Sequence, residues 1–185
     1  MEKKVKRIVI VGPESTGKST LCQALATHYN SGWVKEYARD FLERNGTNYT
    51  YENLYEIAQG QLAAEDERYN TIITDKNFKE NTPLFIDTNL YVIKVWSEFV
   101  FNKCDNRILT EITKREYDLY LLCNTDLPWV KDNLREYPNL KIRDKLFSYY
   151  KEELTEQKVP WAIISGTNEE RLYNAINIIE EKLLL

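Results

Sequence analysis

Eight consecutive residues, Gly12-Pro13-Glu14-Ser15-Thr16-Gly17-Lys18-Ser19, fill the pattern G-x-x-x-x-G-K-[ST] directly behind the apolar run Ile8-Val9-Ile10-Val11. The two glycines let backbone N–H groups turn inward around an anion, Lys18 reaches toward the terminal phosphates, and the Ser19 hydroxyl suits a magnesium ligand. At ordinary residue frequencies all four fixed positions coincide by chance in only about one chain in a hundred of this length. The flanks fit as well. A strand-like run precedes the loop, and Leu21, Ala24, Leu25 and Tyr29 follow at helical spacing, so a helix N-terminus faces the bound anion. This stretch predicts a P-loop NTPase that opens with strand, loop and helix. It nominates Gly12, Glu14, Ser15, Thr16, Gly17, Lys18, Ser19 and Thr20 for nucleotide binding, with ATP and Mg2+ as the expected cofactors.

The 185 residues suffice for one domain with a real core, residues 1–185, without disulfides or metals to staple it. Lys and Arg number 25 against 29 Asp and Glu, a net charge of −4, and the two signs are scattered along the chain. A nucleic-acid partner is therefore not expected. Met1 to Arg7 is basic but runs into a short strand, and no apolar run approaches the length of a membrane span, so no membrane association and a cytoplasmic location are expected. Cys22, Cys104 and Cys123 are far apart and set among apolar residues, which suits buried reduced thiols. His28, the single histidine, falls in the first helical pattern and is expected at a surface or helix end.

Strand-like and helical runs alternate to the carboxyl end. Strands are expected at Arg7–Val11, Trp33–Glu36, Leu84–Asp87, Leu119–Cys123 and Trp161–Ile164. Helices are expected at Lys18–Asn30, Arg39–Arg44, Tyr51–Asn70 or slightly beyond, Leu90–Asn102, Lys141–Gln157 and Asn168–Leu184. Near-continuous apolar strands such as Leu119-Tyr120-Leu121-Leu122-Cys123 suit a parallel sheet covered on both faces. The expected fold is α/β: a three-layer α/β/α sandwich around a five-stranded parallel sheet, kinase-like, with a lid. Its active residues should gather at the carboxyl ends of the strands.

Asp87, closing Leu84-Phe85-Ile86, stands where a carboxylate can hold magnesium opposite Ser19. Glu36-Tyr37-Ala38-Arg39 suits a small acceptor alcohol. Glu36 can take a proton or bind a sugar diol, Tyr37 can stack on a ring, and Arg39 can steady charge on the transferred group. Residues 124–143 are long, polar and interrupted by Pro128 and Pro138, and they carry Trp129, Lys131, Arg135 and Arg143. A cationic lid of this kind excludes water from the donor, with Arg135 the nominee for transition-state charge. In the helix at Tyr51–Asn70, Gln61 is nominated to read a substrate group. Trp96 and Trp161 suit the core better than a stacking platform. The catalytic set is thus Lys18, Glu36, Asp87 and Arg135; the substrate set is Glu36, Tyr37, Arg39, Gln61 and Asp87; the metal set is Ser19 and Asp87. Glu36 and Asp87 can exchange roles.

Taken in order, the phosphate loop through Leu21, then Glu36-Tyr37-Ala38-Arg39, then Phe85-Ile86-Asp87-Thr88, then Pro128-Trp129-Val130 with Asp132 and Leu134-Arg135, resemble the ribosylnicotinamide kinase domain of the NadR family. The resemblance runs from about Arg7 to the carboxyl end. Asn133 stands where the family tends to have a glycine, a change that still tolerates a left-handed backbone. The resemblance implies ATP- and magnesium-dependent phosphorylation of the 5′-hydroxyl of nicotinamide riboside to nicotinamide mononucleotide, in NAD salvage. Members often carry an adenylyltransferase domain with an H-x-G-H signature, which this sequence lacks, so one activity is expected. The residues alone reach a small-molecule phosphotransferase. A kinase for another nucleoside or small alcohol, or a nucleotide-binding regulator without an acceptor pocket, stays open, as does the oligomeric state. By analogy with related folds, Ser165-Gly166-Thr167-Asn168 is where adenine would be held.

Overall fold

The computed structural model describes residues 4–183. The basic residues before Lys4 and the last position of the expected terminal helix, Leu184, lie outside that range. The elements run β1 (Lys6–Val11), α1 (Lys18–His28), β2 (Gly32–Val34), α2 (Tyr37–Asn45), α3 (Tyr51–Thr74) and β3 (Pro83–Asp87). They continue with α4 (Leu90–Phe101), α5 (Asn106–Lys114), β4 (Leu119–Cys123), α6 (Leu140–Glu156), β5 (Trp161–Ile164) and α7 (Asn168–Leu183).

All five strands are parallel in the order β2-β3-β1-β4-β5, with β1 in the centre. Alternate residues of β1 serve opposite faces. Ile8 and Ile10 join Leu21, Cys22 and Leu25 of α1 and Ala175 and Ile179 of α7 in one layer. Val9 and Val11 join Val95 of α4 and Leu146, Tyr150 and Leu154 of α6 in the other. The Val, Leu and Ile side chains among them each contribute roughly 1.5–3 kcal/mol on burial. The three-layer α/β architecture expected from the apolar strands is therefore the observed one. A satellite cluster of Phe41, Leu42, Leu54, Ile57 and Ile93 binds α2, α3 and α4 to each other beside the sheet.

The largest differences from the expected elements lie in four places. The second strand stops at Val34, so Lys35 and Glu36 have left the sheet, and α2 starts two residues early at Tyr37. Its first N–H finds an acceptor outside the helix, in the Gln61 side chain, at 2.9 Å. Helix α3 runs on to Thr74, held at its start by reciprocal Thr50 and Asn53 contacts. Helix α5 was not foreseen: its nine residues bury only Ile108 fully, and the Asp105 side chain caps it by accepting from Arg107 N at 2.8 Å. The last residues of the expected lid form the first turn of α6, capped by Asn139, whose Oδ1 accepts from Lys141 N at 2.9 Å.

His28 is exposed at the end of α1, as expected. Cys22 and Cys123 are buried in the core, and Cys104 is half-buried. Among the described residues no helix is long and apolar enough to cross a membrane.

Candidate active site

The phosphate loop leaves β1 at the centre of the sheet, where the chain turns to opposite sides and a crevice opens beyond the strand ends. Gly12 is obligatory there. Its φ is +138°, and a Cβ would stand 2.8 Å from the carbonyl oxygen of Cys123 on β4. The loop is braced internally: Thr16 Oγ1 donates to Pro13 O at 2.7 Å, and Lys18 Nζ donates to the same oxygen at 2.9 Å. The ammonium thus rests on the loop's own carbonyl.

A cleft of about 210 Å3 opens over the loop. Of the residues nominated from sequence, Gly12, Glu14, Ser15, Thr16, Gly17, Lys18, Ser19, Thr20, Glu36, Arg39 and Arg135 all line it. Glu36 is the N-cap of α2 but makes no capping bond through its side chain. Asp87 lies beneath the loop at 1% exposure. Burial, and next the Glu36 charge, push its carboxyl above the ordinary range, against the opposing pull of Lys18, a hydrogen bond with Ser19, and Arg39. Its Oδ1 is buried without a hydrogen-bond partner. An orphaned carboxylate oxygen beside the Ser19 hydroxyl is the donor set a hard cation takes, so the residues present fit magnesium. Among the described residues no three His, Cys, Asp or Glu side chains gather into a metal-binding group.

Residues 124–139 cross the mouth of the cleft and are tied to the loop tip. Val130 N donates to Ser15 Oγ at 2.9 Å, and Arg135 Nη1 reaches the same oxygen at 3.4 Å. Ser15 is itself left-handed, with φ 58°. Glu14 receives Glu136 N on Oε2 at 3.0 Å and Tyr137 N on Oε1. The carboxylate nominated for nucleotide binding is thus engaged by the covering segment. Arg39 is likewise paired, with Asp132 at 2.8 Å and with Glu43 at 3.3 Å.

Three of the nominated residues, Tyr37, Gln61 and Asp87, are absent from the cleft lining. Tyr37 does not line the cleft: its ring lies against Gly60 of α3, where an added Cβ would meet ring atom Cε1 at 2.1 Å, and the Arg44 guanidinium lies 5.5 Å from its centroid. Gln61 is 1% exposed, and both ends of its amide are bonded to backbone, at Tyr37 N and Thr88 O. The Tyr37 ring and the Gln61 amide are thus engaged away from the cleft lining. The sequence reading also missed the far wall. Trp96, Phe99, Tyr137 and Tyr150 line the cleft beyond Glu36, with Leu42, Val92, Leu134 and Leu146. Trp96, assigned to the core on sequence, holds this place by donating Nε1 to Tyr49 OH at 2.7 Å, and Tyr49 OH in turn reaches Glu136 Oε2 at 3.2 Å. The spacing of Val92, Trp96 and Phe99 along one side of α4 was the available signal. The Ser165–Asn168 turn is stiffened from below by buried Arg171, whose Nε donates to Gly166 O at 2.9 Å and whose Nη2 pairs with Asp126.

Residues 7–171 match the family model described as "AAA domain". Over 184 residues, 97% of its length, the chain is 24% identical to the Trifunctional NAD biosynthesis/regulator protein NadR of Escherichia coli, and 24% identical to that of Salmonella typhimurium. It spans 43% of each, less than half the length of these curated relatives. The crystal structure of NadR protein in complex with NR superposes with a TM-score of 0.80 at 21% identity, covering 98% of this chain and 50% of that one. The crystal structure of NadR protein in complex with NAD and AMP-PNP gives 0.74 at 20% identity, with the same coverage.

Proposed function

The chain belongs to the AAA domain family, and from that premise we propose that its cleft transfers the γ-phosphoryl group of ATP to the 5′-hydroxyl of nicotinamide riboside, giving nicotinamide mononucleotide and ADP. The observation that carries this reading is the continuity of one cleft. The phosphate loop forms its floor, Glu36 stands at its side above buried Asp87, and Trp96, Phe99, Tyr137 and Tyr150 form a wall suited to a flat, cationic ring. The similarity to NadR proteins solved with NR and with AMP-PNP supports both halves of the assignment.

The loop N–H groups and Lys18 take the β- and γ-phosphates, Lys18 exchanging its bond to Pro13 O for phosphate oxygen. Ser19 and Asp87 Oδ1 would hold magnesium, which neutralises charge on phosphate oxygens when bound. The 5′-oxygen forms its bond to the γ-phosphorus as the bond to the bridging β–γ oxygen breaks. The hydroxyl proton passes to the Glu36 carboxylate, and the electron pair leaves with ADP. Residues 124–139 act as a lid within the kinase domain. Arg135 at the loop tip supplies positive charge, and the closed segment keeps water from the donor.

Phosphate transfer from ATP, measured with a panel of nucleosides, sugar acids and no acceptor, tests the reading. Turnover stimulated by nicotinamide riboside is expected. Turnover indifferent to every acceptor would replace the kinase with a nucleotide-hydrolysing regulator.

A further inference from the structure

We propose that Gln61, outside the cleft, is a positioning residue that fixes the two acidic groups of the site relative to each other. This rests on the kinase reading above and deepens it.

Both partners of the Gln61 amide are the residues next in chain to the two carboxylates. Oε1 accepts from Tyr37 N at 2.9 Å, one residue after Glu36. Nε2 donates to Thr88 O at 3.2 Å, one residue after Asp87. One planar side chain therefore spans the start of α2 and the turn that follows β3. The side chain is 1% exposed, so water does not compete for either bond.

The local geometry requires such a brace. Tyr37 N is the first N–H of α2, a group no intrahelical carbonyl can satisfy. An N-cap side chain ordinarily takes one of the first orphan donors of its helix, yet the Glu36 carboxylate takes none. Gln61 takes the N1 donor, and Glu36, which makes no side-chain capping bond of its own, lines the cleft. On the other side, Thr88 is held left-handed at φ 64°, a conformation a threonine keeps only when its surroundings hold it. Its N–H donates to Ile10 O at 3.0 Å and its C=O receives Gln61. The preceding residue in α3 completes the dock: bare Gly60 admits the Tyr37 ring, which any larger side chain would displace. Gly60 sets the approach of α2 by shape, and Gln61 sets it by direction.

Gln61→Leu removes both bonds at nearly constant volume. The expected result is a fall in kcat of tenfold or more with acceptor, while the affinity for AMP-PNP without magnesium stays within twofold of wild type, because both bonds of Gln61 go to residues outside the phosphate loop. Gln61→Glu keeps an acceptor for Tyr37 N but turns a second oxygen toward Thr88 O. Its activity relative to wild type is expected to recover as falling pH protonates the new carboxyl and restores a donor. A Gln61→Leu enzyme with wild-type kcat overturns the proposal, as does parallel loss of kcat and nucleotide affinity, or a flat relative pH profile in Gln61→Glu. If wild-type protein itself shows no acceptor-dependent turnover, the kinase reading fails separately. Crystal structures of wild type and Gln61→Leu then decide the positioning role: displaced Glu36 and Thr88 support it, and unmoved ones overturn it.

Discussion

Arg39 on α2 and Asp132 in the segment over the cleft meet at 2.8 Å, joining the acceptor side of the site to its cover. The pair is partly solvated, so it contributes under about 1 kcal/mol to folding. On the kinase reading proposed above, its use is to hold the cover down. Leu134 N and then Arg39 hold the Asp132 carboxyl below the ordinary range. A depressed carboxylate contributes above its unfolded pKa and is lost only as pH falls through the folded value, so the latch persists through neutral pH. Asp132→Asn should leave the melting temperature nearly unchanged while ATP hydrolysis without acceptor rises severalfold. An unchanged ratio of hydrolysis to transfer would remove the latch.

Lys18 Nζ donates to Pro13 O within its own loop, a local bond that holds no two elements of the fold together. Lys18→Ala should therefore retain the wild-type circular dichroism spectrum and melting curve while transfer falls below detection. Near-normal transfer would remove the phosphate-loop assignment.

The Glu36 side chain lines the cleft and caps nothing, so its carboxylate is free for chemistry. Glu36→Gln conserves its volume and removes its basicity. If Glu36 takes the hydroxyl proton, kcat falls on the order of a hundredfold or more. A change confined to KM for the nucleoside would make it a binding group and pass the proton to Asp87.

The central fold was legible because its signals are local. Ile8-Val9-Ile10-Val11, the glycine spacing and the apolar strands each declare themselves within a few residues, and most of the cleft floor followed. What was not legible depends on contacts across the chain. Glu14 meets Glu136 across 122 residues, and Trp96 is held in the cleft wall by Tyr49 across 47. Gln61 is nominated from sequence to read a substrate group, whereas its amide is bonded to backbone at both ends, because sequence cannot tell a buried amide serving backbone from one serving ligand. Tyr37 was misread for a related reason: the small residue that receives its ring, Gly60, lies on another helix.

Glu65, one turn beyond Gln61 on α3, is buried 3% exposed with Oε1 unpartnered and Oε2 receiving Tyr117 OH at 2.9 Å. Burial pushes its carboxyl from 4.5 up to about 7, against the pull of Tyr117 and of Arg115 and Arg7. The folded state therefore keeps a proton that the unfolded chain releases. The stability this brings is fully present below pH 4.5 and declines as pH rises through about 7, where it levels off. Glu65→Gln is expected to flatten that decline and to stabilise the protein at pH 8 by on the order of 1–3 kcal/mol, a gain of a few degrees in melting temperature. Identical pH dependence in both proteins would assign the slope to other groups.

Arg143, in the first turn of α6, is 3% exposed, and its Nε and Nη1 have no hydrogen-bond partner. A buried guanidinium with idle donors is costly, because the desolvation of the charge is not offset by pairing. Helical spacing puts it on the side of α6 that carries Leu146 and Tyr150, both of which line the cleft. The cost is intelligible if an anionic ligand completes the pair, and the phosphates of ATP bring the complementary charge to this end of the sheet. Arg143→Met keeps much of the stem's apolar packing and deletes the charge. In the absence of nucleotide it should melt at or above the wild-type temperature. Added AMP-PNP should then raise its melting temperature less than it raises that of wild type, and transfer should fall by tenfold or more. A variant that melts lower without nucleotide but gains as much from AMP-PNP would make Arg143 a packing residue and end its connection with the phosphates.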